Sequence, residues 1–302
     1  MQVRAHNVAA QVDIVRRGAC GLDPDKDPAF LASAEACLRE NGVVLLEGVI
    51  PRAVIDNALR HFKQAYSNYM RPGQNRLLRN FQDDKRRAQI PIAPEGPVAS
   101  PYIIANPIIM ALAKVLMGEK IIAGEMGGVI SHPGSKPQYT HRDSMFLFGG
   151  TPIDLKLPWW SLTIIIPLVD APLECGPTEY WPGSHLRLDG DAVIAHPPEC
   201  TAMQAGSIFA YSGQTLHRGG ANRSNIVRPV IYITYQRPWY LERSGYEDKP
   251  QIRINHRMLN AMAPEHSQLF SWALHLNRAD TLDEFLMRWA VRLKGTLGRR
   301  TG

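Results

Sequence analysis

From Glu119 to Gln236 the chain reads as short apolar runs cut by glycine and proline, the pattern that most restricts its fold. Ile121 to Ser131, Pro137 to Thr140, Trp159 to Leu168, Thr178 to Trp181, Ser207 to Tyr211, Gly213 to His217 and Pro229 to Gln236 carry strand-forming composition. In the third run Leu162, Ile164 and Ile166 share one face, and Thr163 and Ile165 the other, as period-two geometry requires. Many short strands with frequent turns predict a sandwich or barrel.

Helices precede the strands. Pro28 to Glu40 places Phe30, Leu31, Ala34, Cys37 and Leu38 at helical spacing, with Asp27 as N-cap and Asn41-Gly42 as the stop. Val43 to Leu46 follows as a short buried strand, and Pro51 opens a second helix to about Met70. Asn106 to Met117 is a third. Arg71 to Tyr102 is long, rich in Pro and Arg and weakly periodic, either a lid or substrate loop or a plain surface excursion. Helices packed on such strands predict a mainly β chain with flanking helices, a double-stranded β-helix of the cupin-like jelly-roll kind. We expect one domain over 1–302: a helical N-terminal part at 1–118, a jelly-roll core at 119–240 and a helical extension at 241–302. Within that extension Thr281 to Leu297 predicts a helix with an apolar stripe for core packing or a dimer contact, which leaves a homodimer open.

Composition excludes several classes. The longest apolar run, Leu162 to Val169, contains Thr163 and Pro167 and is far too short to span a membrane. Met1 to Arg17 carries Asp13 and lacks the apolar block of an export signal. The net charge of +6 is dispersed and accompanies no nucleic-acid-binding motif. Cys20, Cys37, Cys175 and Cys200 match no zinc or redox spacing. Reduced thiols in a cytoplasmic protein are therefore expected.

Function is carried by His141-Arg142-Asp143 and, far downstream, His217 and Arg228. An imidazole and a carboxylate two positions apart point the same way on a strand. A second imidazole from another strand completes a two-His, one-carboxylate face, the ligand set of non-haem Fe(II) oxygenases. Arg228, eleven residues after His217, can return on a neighbouring strand and grip a carboxylate with paired hydrogen bonds.

Three segments in this order carry a resemblance: Gln138-Tyr139-Thr140-His141-Arg142-Asp143, then Gly176-Pro177-Thr178 running on to Pro182-Gly183-Ser184-His185, then His217-Arg218-Gly219-Gly220-Ala221-Asn222. With Arg228 following, the chain resembles the phytanoyl-CoA dioxygenase family of Fe(II)- and 2-oxoglutarate-dependent oxygenases. The resemblance implies that His141, Asp143 and His217 bind iron. It also implies that Arg228 holds the far carboxylate of 2-oxoglutarate, with Gln138 and Thr178 hydrogen-bonding the same cosubstrate. Trp159 falls where relatives place an aromatic beside it. The implied reaction consumes O2 and 2-oxoglutarate, releases succinate and carbon dioxide, and oxidises an unactivated C–H bond of a small molecule, in natural-product tailoring by the likeness of Gln138 and Thr178. Relatives that halogenate carry a small residue where this chain has Asp143, which argues against halogenation.

Other readings stand beside this one. A same-fold metal oxygenase or isomerase would not need 2-oxoglutarate, and a jelly-roll binding protein would tolerate loss of His141. His185 reads as a structural corner, and His132 and Thr140 as candidate pocket linings. Met126, Met145, Phe146 and Phe148 could be a substrate wall or core. Substrate choice is expected from loops, chiefly Arg71 to Tyr102 and Phe146 to Pro158.

Overall fold

The computed structural model describes residues 14–16, 28–71, 86–240 and 252–274. Among these residues ten strands form two sheets: β1 (Ile14–Arg16), β2 (Val43–Glu47), β3 (Arg87–Pro91), β4 (Ile122–Ser131), β5 (Ser161–Pro167), β6 (Thr178–Tyr180), β7 (Glu199–Cys200), β8 (Ile208–Ser212), β9 (His217–Gly219) and β10 (Arg228–Gln236). The larger sheet runs β1-β2-β8-β5-β10-β4-β3, and the smaller β7-β6-β9. All pairings are antiparallel except β1 with β2. This is the jelly-roll arrangement that the spacing of turns predicts.

The two faces of the large sheet do different work. Leu162, Ile164 and Ile166 of β5 and Ile231, Ile233 and Tyr235 of β10 face outward into one apolar cluster. That cluster includes Phe30, Ala34 and Leu38 of α1 (Pro28–Asn41), Ile55, Ala58 and Phe62 of α2 (Arg52–Ala65), and Ile108, Leu112 and Leu116 of the later helix Pro107–Met117. Each fully buried aliphatic side chain contributes about 1.5–3 kcal/mol of transfer free energy. The inner face carries a smaller cluster of Val43, Leu45, Ile165, Tyr180, Met203, Phe209, Tyr211 and Val230. Polar residues fill the rest of that face, and the site is built from them.

Capping and turn chemistry follow the sequence in places and depart from it in others. Asn106 accepts a hydrogen bond from Ile108 N and caps the helix that Pro107 opens. α2 stops at Ala65, short of the expected Met70, and a 3-10 turn covers Ser67–Met70. Within Arg71 to Tyr102, β3 pairs along β4 and Pro101–Ile104 forms a helical turn. Edge strands tolerate proline, and Pro91 ends this one. Gly213 to Leu216 is a tight turn rather than a strand, with Thr215 N bonded to Ser212 O, so β9 begins at His217 itself. The expected helix at 281–297 lies outside the described residues.

Gly42 shows why α1 ends where it does. Its φ is +74°, and a Cβ there would lie 2.4 Å from His185 Nδ1. The Pro182-Gly183-Ser184-His185 turn docks on the helix end, with Gly183 N donating to Asn41 O at 2.7 Å and His185 Nε2 to Arg39 O at 3.2 Å. His185 is thus a corner post, as expected. Burial pushes its pKa down to about 4, partly countered by the Arg39 carbonyl.

Two stability measurements test this packing. Ile233→Ala empties a fully buried site on the outer face and should cost about 2–5 kcal/mol in chemical denaturation. An unfolded histidine titrates near 6.5, well above His185 in the folded chain. The unfolded state therefore takes up the proton first as pH falls. The stability carried by neutral His185 is complete above 6.5 and drains away towards pH 4. His185→Gln should flatten that part of the stability–pH curve, read by thermal unfolding of the metal-free protein.

Candidate metal centre

The site begins with backbone. His141 N donates to His217 O and His217 N to His141 O, each at 3.0 Å, an isolated antiparallel bridge between distant segments. Directly opposed residues in such a pair bring their side chains together. The two imidazole centroids lie 4.4 Å apart. Ser144 N continues the pairing by donating to Gly213 O at 2.9 Å, which carries Asp143 along the same edge. Asp143 Oδ1 then sits 3.6 Å from His141 Nε2 and 3.4 Å from His217 Nε2. One donor atom from each of His141, Asp143 and His217 lies within 4.8 Å of the others.

The remaining atoms of the triad face outward and are tied. His141 Nδ1 bonds Tyr139 O and His217 Nδ1 bonds Thr215 O, each at 3.0 Å. A carbonyl can only accept, so each Nδ1 carries a proton and each Nε2 is the ring nitrogen turned inward. Asp143 Oδ2 accepts from Thr163 Oγ1 at 2.8 Å and Tyr211 Oη at 2.9 Å. Burial and the neighbouring His217 lower the His141 pKa to about 4, so this imidazole is neutral at physiological pH. Burial alone would raise the Asp143 pKa; attraction to and a hydrogen bond from His217, attraction to His141 and the Thr163 hydroxyl override it and hold the group well below the usual carboxylate range. Burial disfavours a charged His217, but Asp143 outweighs that and raises its pKa. Three converging donors, two imidazole nitrogens and one carboxylate oxygen, fit a divalent transition metal.

Arg142, between two members of the triad, turns the other way. It donates from Nε to Gln214 O at 2.8 Å and from Nη2 to Arg187 O at 2.9 Å and Ser184 O at 3.2 Å. Its guanidinium lies over the Phe146 ring. These bonds rivet the His141–Asp143 edge to the turn that delivers His217.

A cationic wall stands further along the inner face. Arg228 opens β10 opposite Ser131 of β4, and Arg87 of β3 opposes the same Ser131 from the other side. Arg228 is buried and donates from Nε to Cys175 O at 3.1 Å. No carboxylate lies within ion-pair distance of it among the described residues. Burial first, then the Arg87 charge, lower its pKa to about 9, so it remains a cation at neutral pH. A buried guanidinium without an acidic partner is costly, and an anionic ligand relieves that cost.

Gln138 and Thr178 both meet Gly219. Gln138 Oε1 accepts from Gly219 N and Gln138 N donates to Gly219 O, both at 2.8 Å. Thr178 pairs with Gly219 across β6 and β9, and is buried. Gly219 has room for this only because it lacks a side chain: a Cβ would lie 2.6 Å from both Gln138 Oε1 and Arg87 Nη1. Trp159 is placed elsewhere. It packs on the outer, helix-side cluster, its ring edge-on to His185 at 5.7 Å, and it lines a surface cleft with Arg39, Lys114 and Arg237. β5 starts only at Ser161, so strand alternation does not carry Trp159 inward.

Other expectations divide. Met126 belongs to the outer core. His132 is buried with Nε2 donating to Tyr69 O. Three residues at the site went unnoticed in the sequence: Thr163, Tyr211 and Arg87. Thr163 left a faint signal, being the one hydroxyl in the otherwise aliphatic run Leu162 to Ile166. Tyr211 and Arg87 left none, since only strand pairing brings them here.

With this geometry in hand, comparison defines the class. The family model described as phytanoyl-CoA dioxygenase (PhyH) matches residues 38–230. The chain therefore belongs to the phytanoyl-CoA dioxygenase family, a family of Fe(II)- and 2-oxoglutarate-dependent dioxygenases. Among curated proteins it is 25% identical over 279 residues to the Fe(II)/2-oxoglutarate-dependent dioxygenase nvfF of Aspergillus novofumigatus, covering 85% of this chain and 91% of that one. It is 29% identical over 144 residues to the dioxygenase aneA of Aspergillus aculeatus. That match spans about half of each protein, 46% of this chain and 47% of aneA. Among solved structures, the epimerase SnoN in complex with Fe3+, alpha ketoglutarate and nogalamycin RO superposes with a TM-score of 0.55 at 20% identity, covering 73% of this chain and 89% of SnoN. HygX from Streptomyces hygroscopicus, with nickel, 2-oxoglutarate and hygromycin B bound, does so at 0.53 and 14%, covering 70% and 88%. These structural likenesses bear on the fold. No helix among the described residues is long and apolar enough to cross a membrane.

Calorimetric titration with Mn(II), a redox-quiet substitute for Fe(II), should show one ion bound per chain. His217→Ala should abolish it while the far-UV circular dichroism stays unchanged.

Proposed function

We propose that this chain oxidises a C–H bond of a small natural product, with His141, Asp143 and His217 holding Fe(II) and Arg228 holding 2-oxoglutarate. The observation that carries the reading is the buried Arg228 guanidinium, lacking a carboxylate partner among the described residues, on the same inner wall as the triad. A dicarboxylic keto acid that chelates the metal at one end would present its other carboxylate to such a cation. Bound together, Fe(II), 2-oxoglutarate and O2 supply the oxidising power, and 2-oxoglutarate leaves as succinate and carbon dioxide.

The chain's own residues account for binding, orientation and exclusion of water. Neutral His141 and ionised Asp143 present ligands without a proton to displace at neutral pH, whereas the proton that Asp143 favours on His217 leaves when a metal binds. Arg228 meets the distal carboxylate in a pocket where burial strengthens the ion pair. Gln138, bonded to Gly219, and Thr178, paired with Gly219 across β6 and β9, are the side chains this reading assigns to hydrogen-bond the cosubstrate. Inner-face Val230, Ile165 and Phe209 keep the interior dry behind it.

Substrate enters from the rim. Tyr139 stacks on His141 and is 51% exposed, and Met145 and Phe148, just past Asp143, are 61% and 53% exposed. Asp154 holds this rim in shape, its carboxylate accepting from Phe148 N, Gly150 N and Thr151 N at 3.0–3.1 Å. An apolar rim on a rigid loop supports a substrate with a broad apolar face. The epimerase structure, solved with nogalamycin RO bound, is in keeping with a natural-product substrate.

Two measurements test the proposal. Anaerobic protein given Fe(II) and 2-oxoglutarate should develop a weak visible charge-transfer band, and a panel of aromatic and polycyclic natural products should include one that stimulates succinate formation. No band and no succinate with any of them would sink it. Arg228→Ala should raise the KM for 2-oxoglutarate by about 100-fold or more, the scale expected for stranding one member of a buried charge pair, while Mn(II) affinity stays at the wild-type level.

A further inference from the structure

The three ligand residues are steadied by different means. Each imidazole is fixed through Nδ1 to a backbone carbonyl two residues away. Asp143 has no such local anchor. Its Oδ2 depends on two side-chain hydroxyls from other strands, Thr163 of β5 and Tyr211 of β8.

We propose that Tyr211 and Thr163 are positioning residues that hold Asp143 as a one-oxygen ligand and so keep the rest of the metal's coordination sphere open. This rests on the triad being the metal site. An ionised carboxylate only accepts, so both hydroxyls donate to Oδ2. Thr163 has a single proton, already given to Asp143, so the 3.0 Å contact with Thr234 Oγ1 runs from Thr234 to Thr163. The relay crosses three adjacent structural positions: Thr234 on β10, Thr163 on β5, then Asp143. The Tyr211 ring also packs at 4.5 Å on the His217 imidazole, so one side chain fixes the orientation of two ligands. With Oδ2 engaged, only Oδ1 faces the two Nε2 atoms. Released, the carboxylate could rotate and present both oxygens, occupying a position that a chelating cosubstrate needs. Partners of this kind typically change metal affinity 10–100-fold when removed.

The test uses variants that keep shape and remove only the hydroxyl. Tyr211→Phe preserves the ring contact with His217, and Thr163→Val preserves the branched side chain. Co(II) is the probe, because its visible absorption reports coordination number as well as affinity. The double variant should bind Co(II) about 10–100-fold more weakly than wild type, with an altered visible spectrum, and each single variant should fall between. Restoring the hydroxyl as Thr163→Ser in the Tyr211→Phe background should recover part of the loss. Wild-type Co(II) affinity and spectrum in the double variant would overturn the inference alone. A lowered unfolding temperature of the metal-free double variant with unchanged Co(II) binding would assign the hydroxyls a structural role and overturn it as well. Failure of wild type to bind Co(II) would take down the metal-site reading and this inference together.

Discussion

The backbone bridge between His141 and His217 is the interaction on which the rest depends. Two hydrogen bonds join segments that are distant in sequence, and everything chemical is measured from that junction. Strand pairing is rigid to a fraction of an ångström, whereas the side chains it positions have only two torsions to adjust. A metal site built on paired strands is therefore largely prearranged before any ion arrives. Arg142 reinforces the same junction from behind by donating to Gln214 O of the turn before His217 and to Ser184 O and Arg187 O of the neighbouring turn.

The two faces of the large sheet divide stability from function. The outer face is a continuous aliphatic layer under three helices, and it supplies most of the buried apolar area. That surplus permits the inner face to be polar. Two buried guanidiniums, a carboxylate, two imidazoles and several hydroxyls would be a poor core by themselves. Nearly all of those groups are hydrogen-bonded into fixed orientations, so the polar interior is ordered rather than swollen. The inner aromatic and aliphatic cluster of Phe209, Ile165 and Val230 separates this polar region from bulk water.

Two charge environments coexist within this interior. Around the triad, burial and the neighbouring His217 keep His141 neutral, while the Asp143 carboxylate favours charge on His217. Along the β3–β4–β10 row, no carboxylate among the described residues compensates Arg228. A metal cation suits the first and a dicarboxylate the second, and a single keto acid can bridge them. Membership of the phytanoyl-CoA dioxygenase family accords with that pairing.

The sequence alone determined the jelly roll and the identity of the triad. Period-two alternation from Leu162 to Ile166 and punctuation by Gly and Pro are local properties, and His-x-Asp sets two ligand types two residues apart, although only a single bridge at His141, not the expected strand, forms there. Tertiary structure alone decided what lies behind those groups. Thr163 and Tyr211 reach Asp143 only through the β2-β8-β5-β10 order, and Arg87 joins Arg228 only because β3 and β10 flank β4. Trp159 fell on the outer side because β5 begins two residues after it, a boundary that residue propensity cannot locate. Contacts set by strand order are non-local, and no window of sequence contains both partners.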